Sequence, residues 1–175
     1  IETQALQTAR PAELLARVNR QLVARLQANH MNAAVLFALI DLKERRLYVA
    51  NAGMIAPLLL RAGALTYLDA GGLPLGVLPG ARYAEVAVDL LPGDCLLLVS
   101  DGIVEARNRQ RELFGFERLE RAVAEVADAD RDELIDYVID QVDDFVAGGI
   151  QHDDMTMIAI APALAGAPEL EPAVS

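Results

Sequence analysis

The stretch Cys95-Leu96-Leu97-Leu98-Val99-Ser100-Asp101-Gly102 decides how the rest of the chain reads. Pro92-Gly93-Asp94 turns the chain into it, and Ser-Asp-Gly ends it. A short continuous apolar run between turn signals suits a strand buried on both faces. An acidic side chain at the mouth of such a strand sits near low-dielectric surroundings. Unpaired it is costly there, and a divalent cation would stabilise it. Gly102 has no side chain, so its carbonyl is free to approach a metal closely. Asp-Gly is also an ordinary turn dipeptide, and alone the motif fits a turn as well as a site.

A second acidic motif stands further along. His152-Asp153-Asp154 directly precedes another apolar run, residues 155–161, which reads as the last strand. Alternation of side chains along an extended segment sends Asp154 away from Asp153. Between the two motifs, Phe116, Leu119, Val123 and Val126 make one helical stripe. Leu134, Ile135, Val138, Ile139, Val142 and Phe145 make a stronger one. Asp130 with Glu133 resembles a capping box at its start, and Gly148-Gly149 stops it.

Upstream, residues 83–90 alternate, with Val86, Val88 and Leu90 on one face and Glu85 and Asp89 on the other, as in a half-buried strand. Residues 33–42 form a nearly continuous apolar run, expected of a central strand covered on both faces. A polar turn at 41–46 and a returning strand at 47–50 complete a hairpin. Short strands are expected at 57–60 and 65–68. The glycines and proline of 71–76 exclude regular structure there. Pro11, Leu14, Leu15, Val18, Leu22 and Leu26 mark a first helix with Arg17, Arg20 and Arg25 on other faces. Residues 1–8 read as the tail of an earlier helix. The Ala/Pro-rich residues 162–175 read as a loose tail. Strands in the middle with helices in flanking blocks predict an α+β type of α/β fold with antiparallel sheets.

Composition narrows the function. The 175 residues fit one domain, and 54% hydrophobic content supplies a sizeable core. A net charge of −11 without a basic stripe argues against nucleic acid and anionic membrane as partners. The single cysteine, Cys95, forbids an internal disulfide and points to a reducing, cytoplasmic setting, with its thiol buried as a small hydrophobe. The apolar run at 33–40 is far shorter than the roughly 20 residues that span a bilayer. Of the two histidines, His30 suits the surface, and His152 reads as a solvated loop residue or as a neighbour of the Asp153 site.

Six blocks occur in order: Asn51-Ala52-Gly53, Gly72-Leu73-Pro74-Leu75-Gly76, Leu91-Pro92-Gly93-Asp94, Ser100-Asp101-Gly102-Ile103-Val104-Glu105-Ala106-Arg107-Asn108, Leu113-Phe114-Gly115 and Asp153-Asp154-Met155-Thr156. This series resembles the SpoIIE/RsbU-type branch of the metal-dependent (PPM) serine/threonine phosphatases. The resemblance runs from Pro11 to about Ala161 within a domain taken as 1–161. It implies an α-β-β-α sandwich of two antiparallel sheets. It also implies two Mg²⁺ or Mn²⁺ ions held between the sheets, with Asp101 and Asp153 as ligands. Gly102 and Asp154 would stand one layer out from the ions. The chemistry implied is attack of a metal-activated water on a phosphoester, without a protein nucleophile.

The family pattern also includes a Gly-Asp strand block and an Asp-x-x-Gly-His-Gly turn that carry further ligands. Neither is in this sequence, and Asp41 sits at an ordinary hairpin position, so the domain reads as N-terminally incomplete. Met54 stands where the family often has His, and a thioether does not replace imidazole as a base or hard-metal ligand. Two readings follow. One is a bacterial phosphoserine/phosphothreonine phosphatase acting on a phosphoprotein such as an anti-sigma-factor antagonist. The other is a pseudophosphatase kept as a protein-binding output module behind a receiver or sensor domain. Leu73, Leu75, Val77 and Leu78 in the 71–79 loop are read either as plugs for the end of the sandwich or as partner contacts.

Overall fold

The computed structural model of the chain describes residues 10–148 and 153–162. Its elements run α1 (Pro11–Ala28), β1 (Val35–Asp41), β2 (Arg46–Ala52), β3 (Leu58–Arg61), β4 (Ala64–Tyr67), β5 (Val86–Asp89), β6 (Cys95–Val99), α2 (Asp101–Val104), α3 (Gly115–Glu125), α4 (Arg131–Val146) and β7 (Met157–Ile160). The strands form two antiparallel sheets, ordered β1-β2-β5 and β4-β3-β6-β7.

The period-2 alternation of strands sorts the apolar side chains into three layers. Leu47 and Val49 of β2, Leu59 of β3 and Leu96 of β6 meet between the two sheets, with Leu36, Ala38 and Ile40 of β1 packed beside them. Cys95, Leu97 and Val99 of β6 point the other way, against Leu119 and Val123 of α3 and Leu134, Val138 and Val142 of α4. Ala50 and Ala52 of β2 face Leu15 of α1. The result is an α-β-β-α sandwich of two antiparallel sheets flanked by helices, as the family resemblance implies.

Some local expectations change. The apolar run at 33–42 becomes β1, which lies at the edge of its sheet among the described residues; β2 is the central strand of that sheet. A continuous apolar run reports that both faces are covered, here by α1 and by the second sheet. It does not report position within the sheet. Strands β5 and β7 are shorter than the runs that predict them. On α1, Leu22 is exposed, while Asn19 is wholly buried. Its Nδ2 donates to Leu78 O (3.0 Å), and its Oδ1 accepts from Gly76 N (2.9 Å). The stripe of α1 therefore grips a loop through a polar residue as well as a sheet through apolar ones.

Other turns follow the sequence. Asp41 Oδ1 accepts from the amides of Lys43 and Glu44 and closes the β1–β2 hairpin. Asp130 caps α4 by accepting from Glu133 N at 2.8 Å. Helix α4 ends with Ala147 in the left-handed region, followed by Gly148 at φ 74°. Residues 1–9, Gly149, His152 and residues 163–175 lie outside the described residues, and with them the expected earlier helix, the second stop glycine and the loose tail. No helix among the described residues is long and apolar enough to cross a membrane.

Candidate metal site and its supporting loops

Strands β6 and β7 are antiparallel neighbours, with Val99 opposite Met157. The pairing continues past the strand ends. Ser100 N donates to Thr156 O (2.9 Å), Ser100 Oγ accepts from Thr156 N (2.9 Å), and the same hydroxyl donates to Asp154 O (3.1 Å). Those three bonds hold the Ser-Asp-Gly block against the Asp-Asp-Met-Thr block. Asp101 and Asp153 are thereby brought to one end of one sheet from positions 52 residues apart in sequence.

Asp101 is the first residue of α2, a single turn whose Gly102, Ile103 and Val104 are buried. Gly102 is there for a close backbone approach: a Cβ on it would lie 2.3 Å from the carbonyl oxygen of Asp154. That contact seats α2 on the start of β7. Asp101 Oδ1 accepts from Gly102 N (3.1 Å), and Asp153 Oδ1 accepts from Asp154 N (2.8 Å). Each carboxylate is thus turned by the amide that follows it. Both side chains belong to exposed residues, which corrects the expectation of low-dielectric surroundings for them. Asp154 acts in this junction through its backbone carbonyl.

A second pair of blocks supports the same end of the sandwich. Strand β3 pairs Leu58 with Leu97 of β6, so the turn leading into β3 lies at the end where Asp101 follows β6. In that turn the buried Asn51 accepts from Met54 N (2.8 Å) and donates to Met54 O (2.7 Å). The backbone of residue 54 is fixed by these bonds, whatever its side chain. Gly53, at φ 87°, leaves room for Pro74, whose Cγ would be 2.5 Å from an added Cβ. Gly72 leaves room for the Asn51 carbonyl, 2.3 Å from its own missing Cβ. The Asn-Ala-Gly and Gly-Leu-Pro-Leu-Gly blocks therefore interlock through their glycines.

That loop also settles the leucines. Leu75 is 1% exposed, is tied to Ala33 by two backbone hydrogen bonds, and packs with Leu15, Ala50 and Ala52. It is a plug and not a surface contact, because its place is filled by the α1 layer. Leu73, Val77 and Leu78 are exposed.

Asp101 and Asp153 offer hard carboxylate oxygens, the donor type that Mg²⁺ and Mn²⁺ take. Among the described residues no group of three or more His, Cys, Asp or Glu forms a cage. The donors therefore fit the ions in kind and supply only part of the number needed. Sequence reasoning includes Ser100 and Asn51 in their blocks without giving either a role, and it passes over Asn19. Ser100 and Asn19 each join two segments, and Asn51 closes its own turn on Met54. Asn19 left a signal, a polar residue on the stripe that holds Leu15 and Leu26. Asp94 is a further case. Its buried carboxylate takes Arg61 Nε (2.8 Å), Arg61 Nη2 (2.7 Å) and Leu91 N (2.8 Å), which ties the turn before β6 to the end of β3.

The family model for Stage II sporulation protein E (SpoIIE) matches residues 1–162. The chain belongs to the SpoIIE family. Its fold is that of PP2C phosphatase domains. The SiaA-PP2C domain of Pseudomonas aeruginosa superimposes with a TM-score of 0.79 at 20% identity, over 90% of this chain and 63% of that one. The SpoIIE phosphatase domain of Bacillus subtilis gives 0.65 at 17% identity, over 90% and 69%. The RsbU and RsbW domains of Rv1364c from Mycobacterium tuberculosis give 0.64 at 25% identity, over 85% and 40%. Among curated proteins, IcfG of Synechocystis sp. is 29% identical over 131 residues, which are 74% of this SpoIIE-family chain and 20% of IcfG. The chain thus spans about a fifth of that relative.

Proposed function

We propose that this SpoIIE-family chain is the phosphatase part of a bacterial signalling protein that hydrolyses phosphoserine or phosphothreonine in a partner protein. The observation that carries the reading is the Ser100 junction, which brings Asp101 and Asp153 to one end of one sheet. Mn²⁺ or Mg²⁺ would be held by these two carboxylates, with further ligands from outside the described residues. When bound, such ions activate water and neutralise phosphoryl charge. The chain's own contribution is positional. The amides of Gly102 and Asp154 orient the two carboxylates, and Gly102 seats α2 against β7. The substrate class we favour is an anti-sigma-factor antagonist, controlled by a receiver or sensor domain in the cytoplasm.

A second reading, a protein-binding output module without turnover, draws on two observations. Only two candidate ligands are present at the site among the described residues, and Met54 stands where the family pattern often has His. Release of phosphate from a phosphoserine peptide by the natural protein that carries this chain separates the readings. Turnover with Mn²⁺ that stops on chelation is the expected result. Absence of turnover with metal and peptide both bound favours the output module.

A further inference from the structure

The Glu105-Ala106-Arg107-Asn108 extension of the Ser-Asp-Gly block lies beyond the two candidate ligands. In the structure it begins a tight loop. Arg107 bridges to Leu113, and Phe114 N donates to Ala106 O at 2.8 Å. Asn108 organises the residues between. Its Oδ1 accepts from Gln110 N (3.0 Å) and Glu112 N (2.9 Å), and its Nδ2 donates to Glu112 Oε2 (2.8 Å). Its backbone N donates to Glu112 O (3.1 Å), and its carbonyl accepts from Arg111 N (2.9 Å). Arg118 at the start of α3 braces the base by donating to Leu113 O and Phe114 O.

The rigid loop carries Arg107, Arg109 and Arg111, all exposed, and none is in an ion pair among the described residues. Arg10, Arg46 and Arg61 are matched to Glu85, Asp89 and Asp94. Arg17, Arg20, Arg25 and Arg82 are, like those of the loop, exposed and in no ion pair among the described residues, so it is the clustering of Arg107, Arg109 and Arg111 that sets the loop apart. Of the loop's neighbouring carboxylates, Glu112 is engaged by Asn108 and Glu105 lies at the end of α2. The Arg109 guanidinium lies beside Gly148, just past the C-terminus of α4, where the helix dipole favours a cation without supplying a full charge. Three exposed arginines within five residues make a dense patch of positive charge on a chain with a net charge of −11.

Their position gives them a use. At about 1.5 Å per helical residue and at most about 3.6 Å per extended one, Arg107 lies within roughly 15 Å of Asp101. An extended peptide covers that span in about four to five residues. A phosphoprotein approaching Asp101 otherwise meets a surface of its own sign, which slows encounter. We propose that the 107–111 loop docks an acidic segment of the phosphoprotein substrate, a few residues away from the phosphorylated one. The assignment rests on the phosphoprotein reading above. Arginine suits the task because its guanidinium forms forked, charge-assisted hydrogen bonds to carboxylates. Nucleic acid is disfavoured as occupant, since the field of the rest of the chain repels a polyanion much longer than the loop.

Binding of labelled phosphoserine peptides, followed by fluorescence anisotropy in chelator, tests this without depending on turnover. One peptide has acidic flanks and one has neutral flanks; a DNA duplex is the third probe. The acidic peptide is expected to bind the wild-type chain at least about tenfold more tightly than a combined R107Q, R109Q and R111Q variant. A Lys triple variant is expected to keep most of the affinity, and added salt to weaken it. The neutral peptide should not distinguish the variants. Equal binding of the acidic peptide to wild type and the Gln variant overturns the proposal, as does no binding to wild type or tighter binding of the duplex. If the docking result holds and phosphate release fails, the loop assignment stands and the hydrolytic reading falls.

Discussion

At the scale of single residues, the site depends on atoms that are missing as much as on atoms present. A Cβ at position 102 would overlap the Asp154 carbonyl, so Gly102→Ala must push α2 away from β7. The expected cost is about 1–3 kcal/mol, read as a lower denaturation midpoint. Ser100→Ala removes a donor and an acceptor that join the two acidic blocks, and is expected to cost about 1–2 kcal/mol and to weaken metal binding. Two tyrosines predict alkaline behaviour. Burial, followed by the hydrogen bond its hydroxyl donates to Glu120 (2.7 Å), raises the Tyr67 phenol above its ordinary value, and burial raises Tyr83. A raised phenol favours the folded state below its unfolded pKa of about 10 and loses that contribution as pH climbs through the folded value. The melting temperature should therefore fall above pH 10, and fall less in Tyr67→Phe. The Tyr83 hydroxyl is buried without a partner among the described residues, so Tyr83→Phe should be neutral or stabilising by up to about 1 kcal/mol at neutral pH.

At the scale of elements, the helices and most strands were legible because their apolar periods are clean. Leu134, Val138 and Val142 of α4 are all buried, and β6 alternates between the helix layer and the inter-sheet core. The place of β1 was not legible, since coverage of its faces says nothing of which strand lies beside it. The short helix α2 was hidden because one turn has no period to detect. The 71–79 loop was half legible. Its glycines and proline marked it as irregular, but only the structure separates Leu75, a plug, from the exposed Leu73. Leu75→Ser should destabilise at least as much as the roughly 2–5 kcal/mol typical of a buried leucine cut to alanine. Leu73→Ser should leave the melting temperature unchanged. Equal melting temperatures for the two variants would contradict the burial seen here.

At the scale of the molecule, two sheets and two helix layers bring loops from distant sequence to one end. The Asn-Ala-Gly, Gly-Leu-Pro-Leu-Gly, Ser-Asp-Gly and Asp-Asp-Met-Thr blocks read from the sequence are parts of that end, as interlocking turns, a polar clasp and two acidic strand mouths, whereas Leu91-Pro92-Gly93-Asp94 turns at the opposite end of β6. Asp101 and Asp153 were legible as candidates from their places beside buried apolar runs. What joins them was not legible, because Ser100 bonds across to residues 154 and 156 and such contacts leave no local pattern. The central claim is that these two carboxylates form one divalent-metal centre. The most direct measurement is calorimetric titration of Mn²⁺ into the natural protein that carries this chain, compared with Asp101→Asn and Asp153→Asn variants of unchanged melting temperature. The account predicts that each single variant weakens Mn²⁺ binding at least about tenfold, because each removes a carboxylate charge held against the ion. Equal Mn²⁺ affinity in wild type and both variants would contradict it.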